Sequence, residues 1–179
     1  MNLLEETVNS KTVYSGRVIS LVVDDILLPD GKPAKREVVE HNGGVCVIAE
    51  DNEGNILFVK QFRYPYKEII LEVPAGKRDS KNEDPLLCGK RELKEEVGAT
   101  ASRWMPLGEI IPSPGCYGEK LYLFLARGLE FGETHMDEDE FLRVSRLPLT
   151  DLIQGCISGE IQDGKTVCAA LKAKYIMGF

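Results

Sequence analysis

Three glutamates, Glu92, Glu95 and Glu96, stand in the run Arg91-Glu92-Leu93-Lys94-Glu95-Glu96-Val97-Gly98. On a helix advancing 100° per residue, Glu95 and Glu96 fall one turn beyond Glu92 and flank it. The three carboxylates then project as one cluster beside an apolar face. Like charges at these spacings repel and weaken an isolated helix. A hard divalent cation reverses that sign, because Mg²⁺ takes carboxylate oxygens together with substrate phosphate. The chemistry on offer is therefore metal-assisted reaction at phosphorus. The other reading is a solvated helix face, since Glu is a good helix former and Arg91 can pair with Glu95. Taken alone, the glutamates leave both readings open.

The elements that must position this cluster follow from periodicity and punctuation. Leu86, Gly89, Leu93 and Val97 recur at spacings of 3, 4 and 4, which predicts one helical face. Pro85 suits the first turn, and Gly98 stands where a left-handed cap ends a helix. Gly89 is a poor helix former, so a close approach of this helix to a strand is expected there. Ahead of the helix the chain reads as strands: Val13–Tyr14, Arg17–Leu28, then Ala34–His41 after the Pro29-Asp30-Gly31 turn. Residues 45–49 and 56–62 are two further strands joined by a polar loop, and Ile69–Val73 is a shorter one running into Pro74-Ala75-Gly76. Beyond the helix, Trp104–Ile111, Lys120–Ala126 and Phe141–Leu147 read as strands. Leu149–Gln154 and Lys165–Met177 read as helices, with Asp163 near the start of the second. The residues alone predict one α+β domain with an N-terminal strand-rich extension.

Composition narrows the function classes. The 179 residues, 43% apolar and 28% charged, suit a single globular domain with a real core. A net charge of -7 argues against an extended nucleic-acid surface, which needs a basic face. It leaves room for a small phosphorylated substrate, because a bound cation reverses the local field. No apolar run reaches the roughly 20 residues of a membrane-spanning helix, and the acidic start Met1–Glu6 lacks a signal-peptide layout. The five cysteines form no C-x-x-C pair and there are two histidines, so any metal is expected to be held by oxygen. A cytoplasmic protein with reduced thiols is expected.

The run from Gly76 through Ala99 resembles the signature of Nudix hydrolases. Glu83 is followed by seven residues and then by Arg91-Glu92-Leu93-Lys94-Glu95-Glu96-Val97-Gly98-Ala99, which matches the second half of that signature. The departure is an interval of six residues between Gly76 and Glu83 where the family has five. One extra residue is absorbed in a surface loop at small entropic cost. More of the chain is similar to the ADP-ribose pyrophosphatase branch: Gln61-Phe62-Arg63-Tyr64-Pro65, Leu71-Glu72-Val73-Pro74-Ala75-Gly76-Lys77, Pro114 fifteen residues past Ala99, Asp139-Glu140-Phe141 and Asp163-Gly164-Lys165-Thr166. A second departure is Cys116-Tyr117-Gly118-Glu119, where this branch places an aromatic residue first.

The resemblance implies a Nudix-type α/β/α sandwich with a mixed sheet and an N-terminal antiparallel extension. It divides the chain into residues 1–42, a dimerisation element, and residues 43–179, the Nudix hydrolase domain. It implies Mg²⁺, with Mn²⁺ as a substitute, held by Glu92, Glu96 and Glu95 together with the Ala75 carbonyl. Gly76, Glu83 and Arg91 become supporting residues, the last two as an ion pair fixing loop to helix. Arg63 and Glu72 are expected at the substrate, with Arg36, from the partner subunit of a homodimer, as a further candidate. The base is expected from the acidic run Met136–Glu140, with Glu140 ahead of Glu138 and metal-bound water acting without a carboxylate as a third option. The implied reaction is hydrolysis of ADP-ribose to AMP and ribose 5-phosphate. The alternatives are another nucleoside diphosphate sugar, a broad nucleotide-derivative housecleaning enzyme, or a non-catalytic nucleotide-sensing domain.

Overall fold

The computed structural model describes residues 2–134 and 141–178. Along the chain it contains β1 (Glu6–Ser15), β2 (Ser20–Leu27), β3 (Pro33–Glu40), β4 (Gly44–Ala49), β5 (Asn55–Arg63), β6 (Glu68–Glu72) and β7 (Ala75–Lys77). There follow α1 (Pro85–Val97), β8 (Ala99–Ile110), β9 (Leu121–Phe131), β10 (Leu142–Pro148), α2 (Leu149–Ser158) and α3 (Gly164–Met177). Two compact units emerge: residues through Gly43 with Ile111–Lys120, and Gly44–Ile110 with Leu121 onward.

In the larger unit, β7-β4-β9-β8 form a mixed sheet in which β4 runs parallel to β9, and β10-β5-β6 form an antiparallel sheet. Every residue of β4 is buried, because its alternating side chains enter two different cores. Cys46 and Ile48 join Phe58, Leu123 and Leu125 beneath Leu152, Ala169 and Ala173 of α2 and α3. Val47 and Ala49 join Leu57 and Val59 beneath Leu93 and Val97 of α1. Sheet therefore lies between helices on both faces, the α/β/α layering of an α+β fold.

Local chemistry sets the ends of α1. Asp84, extended at φ -63° and ψ 123°, accepts hydrogen bonds from Leu86 N at 2.8 Å and Leu87 N at 3.0 Å. Gly98 closes the helix at φ 66°, a conformation that costs a residue with a Cβ. Gly89 departs from the close-approach expectation. A Cβ built there meets Trp104, Phe124 and Val47 at 3.5–3.6 Å, ordinary contact distances, so packing does not require glycine.

The smaller unit contains the antiparallel sheet β1-β2-β3. Val39 of β3 bonds the segment Ile111–Lys120 on both sides, its amide to Cys116 O at 2.8 Å and its carbonyl to Gly118 N at 2.9 Å. Strand β1 is exposed along its whole length, so it begins seven residues earlier than Val13 with no buried alternation to announce it. Among the described residues, no helix is long and apolar enough to cross a membrane.

Candidate active site

Strand β7 is too short to stand out in the sequence, yet it is where the glutamates of α1 arrive. Ala75 N donates to Glu96 Oε2 at 2.9 Å. At Gly76 a Cβ would lie 1.9 Å from the carboxyl carbon of Glu92, so only a residue without one lets that carboxylate reach the strand. Glu92 and Glu96 are 8% and 3% exposed, and the helix face expected to be apolar thus includes two carboxylates. Strand β7 is fixed from behind by β4, with Gly76 opposite Val45 and Ala75 opposite Cys46. Val47 N also donates to Pro74 O at 2.9 Å.

Arg91 gathers the neighbouring acids. Its Nη1 donates to Glu92 Oε1 at 2.8 Å and to Glu95 Oε2 at 3.0 Å, and its Nη2 lies 3.6 Å from Glu83 Oε1. The expected Glu83–Arg91 pair is therefore present, and Arg91 also reaches Lys77 O at 3.1 Å. Burial opposes the Arg91 charge, but Glu92 and Glu95 beside it hold its pKa above the ordinary guanidinium value. Glu95, expected to complete a metal cluster, is the least buried of the three helix glutamates and is turned to Arg91. The Cys88 thiol nearby is pushed up to about 12, first by burial and then by Glu92.

A second constellation lies at the ends of β5 and β6. Glu72 is 1% exposed. Arg63 Nε donates to its Oε1 at 2.5 Å and Arg63 Nη2 to its Oε2 at 2.7 Å, a two-pronged contact. Lys165 Nζ also donates to Oε2, and lies 3.0 Å from Asp163 Oδ1. Burial alone would raise the Glu72 pKa, yet the bonds from Arg63 and Lys165 hold it below the usual carboxylate range. Burial likewise opposes the Lys165 charge, and Asp163 and Glu72 override it and raise that pKa. Glu72, expected to face substrate, has both oxygens engaged by cations. Arg63, 38% exposed, is the member of the set that a ligand can reach.

Arg36 belongs to the smaller unit, where its guanidinium pairs with Glu5. Glu138 and Glu140 lie outside the described residues. Lys165 and Thr166 are functional candidates that periodicity does not reveal. Their only sequence signal is the run Asp163-Gly164-Lys165-Thr166, and their partners Glu72 and Val73 are 93 residues away.

Among the described residues, no three His, Cys, Asp or Glu side chains already form a metal-holding group. The donor chemistry nevertheless fits a hard divalent cation. Glu92 and Glu96 are buried oxygen donors on one helix, and Gly76 provides the cradle that a Cβ would fill.

A family model described as the NUDIX domain matches residues 40–169, and one described as the nucleoside diphosphate sugar hydrolase N-terminal domain matches residues 5–39. The chain is 42% identical to an ADP-ribose pyrophosphatase of Bacillus subtilis (strain 168), over 94% of this chain and 91% of that one. It is also 42% identical to a methanol dehydrogenase activator of Bacillus methanolicus, over 92% and 90% of the two chains. A solved structure described as an ADP compounds hydrolase superposes with a TM-score of 0.86 at 20% identity, over 99% of this chain and 97% of that one, a likeness of fold. With the matched domain spanning the larger unit's β4-to-α3 course and the signature glutamates seated on β7, the chain belongs to the Nudix family.

Proposed function

We propose that this protein is a pyrophosphohydrolase that cleaves ADP-ribose to AMP and ribose 5-phosphate with Mg²⁺. The observation that carries a metal-assisted reaction is the seating of two buried carboxylates, Glu92 and Glu96, against Ala75–Gly76. The choice of ADP-ribose rests on similarity to the Bacillus subtilis enzyme along almost the whole chain.

Glu92 and Glu96 would hold the cation with the Ala75 carbonyl, and Glu95 would complete the set. When bound, the cation neutralises charge on the pyrophosphate and on the oxygen that leaves. Arg91 and Glu83 hold loop and helix in register, so the two donors keep their places on β7. Arg63 presents its guanidinium to phosphate or ribose. Arg36 contributes from the partner subunit of a homodimer built on the N-terminal strands. Water attacks one phosphorus, its new P–O bond replacing the bridging P–O bond, and Glu140 takes the proton, with Glu138 as the alternative base.

A second reading, hydrolysis of another nucleoside diphosphate sugar, is favoured by the N-terminal match at residues 5–39. Turnover of ADP-ribose, ADP-mannose, GDP-mannose and NADH, each with and without Mg²⁺, separates the readings. Preference for ADP-ribose supports the first and preference for a mannose sugar the second. No hydrolysis of any of the four with metal present would remove the enzyme reading. Light scattering is expected to give about twice the 19.9 kDa chain mass, and a monomer mass would remove the dimer.

A further inference from the structure

The first turn of α3 is tied to the end of β6 at two points. Lys165 donates to Glu72 Oε2, and Thr166 Oγ accepts from Val73 N at 3.0 Å. Asp163 holds both ties in place. Its Oδ1 takes Lys165 at 3.0 Å, and its Oδ2 takes the Thr166 hydroxyl at 2.6 Å and the Thr166 amide at 3.1 Å. Charge alternates along the contacts Arg63, Glu72, Lys165 and Asp163. Lys165 is only 14% exposed, which keeps this pairing out of bulk water.

One consequence follows for Arg63. A carboxylate turns easily about its last torsion, and a guanidinium bonded to both its oxygens turns with it. An ammonium fixed on Oε2 stops that rotation, so the plane of the Arg63 fork is set from α3. Glu72 is also shared between two cations, Arg63 and Lys165, and Asp163 balances the charge of Lys165. Arg63 uses Nε and Nη2 on Glu72, and Nη1 is the nitrogen outside that contact.

We propose that Lys165 is a positioning residue for Arg63: by locking the Glu72 carboxylate it sets the orientation in which Arg63 meets the substrate's pyrophosphate. The role rests on the proposed reading that Arg63 meets the substrate. Lys165 itself touches Glu72 and Asp163, and acts through them.

The test is a double-mutant cycle in the full-length protein. Lys165→Met is expected to raise KM for ADP-ribose about tenfold while kcat changes less than about threefold, the loss of one charge-assisted contact in binding. In an Arg63→Ala background the same substitution is expected to change KM less than about twofold, because the residue it works through is gone. An unchanged KM in Lys165→Met, or an equal effect in both backgrounds, overturns the proposal. Should Lys165→Met not fold, Glu72→Gln/Lys165→Met replaces it, removing both buried charges together. Arg63→Ala is then expected to add less than about twofold, and a full further loss overturns the proposal. A readout independent of turnover is the exchange rate of the Arg63 Nε–H by nuclear magnetic resonance, expected to rise at least about tenfold in Lys165→Met. An unchanged rate overturns the positioning role. Absence of ADP-ribose turnover in the unsubstituted protein would refute the substrate instead, and the exchange rate then decides the positioning alone.

Discussion

At the start of α3, Glu72 and Asp163 face Arg63 and Lys165, two negative charges interleaved with two positive ones. At α1 and the loop before it, Glu83, Glu92 and Glu95 converge on the guanidinium of Arg91, and Glu96 accepts from the amide of Ala75. Both sets are largely withdrawn from water, where an unpaired charge is costly. The first set contains its own counter-charges. The second gathers more carboxylates around one arginine, on a strand opened by glycine. Burial of acids therefore does not by itself mark a cation site. The cation proposed above belongs with the set on α1, and Glu72 is engaged by Arg63 and Lys165.

The largest expected effect comes from disturbing the acid-rich set. Glu96→Gln keeps an oxygen for the Ala75 amide but removes a charge. It is expected to lower kcat at least about a hundredfold with an unchanged circular dichroism spectrum. Chelating the metal from the unsubstituted protein should have a comparable effect, reversed by adding Mg²⁺. A Glu96→Gln variant with normal turnover would break the distinction between the two sets.

Gly76→Ala probes the same place without altering charge. Its Cβ cannot share space with the Glu92 carboxylate 1.9 Å away, so that carboxylate must leave its seat or the backbone must shift. Overpacking of this kind costs about 1–3 kcal/mol, and activity is expected to fall more than stability, as read from kcat and from a urea midpoint. Equal turnover in Gly76→Ala would show that Glu92 needs no seat on β7.

The balanced set is tested by pH. The Glu72 pKa is lowered in the fold, so its contribution to stability is present above the ordinary carboxylate value and disappears as pH falls through the folded one. The Lys165 pKa is raised, so its contribution holds below the ordinary ammonium value and is lost only as pH rises through the higher folded one. The stability gap between the unsubstituted protein and Glu72→Gln should therefore stay flat from about pH 6 to 9 and narrow in acid. A gap that varies across neutral pH would contradict the assigned direction.

The smallest effect separates two glycines. Gly89→Ala places its Cβ at ordinary contact distances inside α1 and should add up to about 1 kcal/mol of stability in a denaturant melt, with turnover unchanged. A loss of stability there would mean that α1 does need glycine against the sheet.

What could be read from the residues alone follows the same physics. The course of α1 was legible because a 3.6-residue period, Pro85 and Gly98 agree on it. The buried strands β4 and β5 were legible as apolar runs. Strand β1 was legible only at Val13–Tyr14, since none of its residues is buried and nothing alternates. Strand β8 begins at Ala99 rather than Trp104, its first residues being small ones that carry little strand signal. The Glu83–Arg91 pair and the Glu92 and Glu96 positions follow from helical spacing plus the family resemblance. The attachment of Lys165 to Glu72 spans 93 residues and leaves no local trace beyond its four-residue run. The candidate base, Glu140 or Glu138, falls outside the described residues.

The loop between Gly76 and Glu83 gives the extra residue of the signature a different meaning. Arg78, 8% exposed, folds into that loop, donating through Nε to Glu83 O at 2.9 Å and through Nη2 to Lys81 O at 2.6 Å. Asp79 N donates to Glu83 Oε2 at 2.6 Å, and the Arg78 guanidinium lies 5.3 Å from the centre of the Tyr122 ring. The loop thus brings its own internal brace. Its two endpoints are the glycine under Glu92 and the glutamate beside Arg91. A signature written as counted intervals treats the number of residues between them as part of the code. In this molecule the two anchors are held by contacts of their own across an interval of six residues.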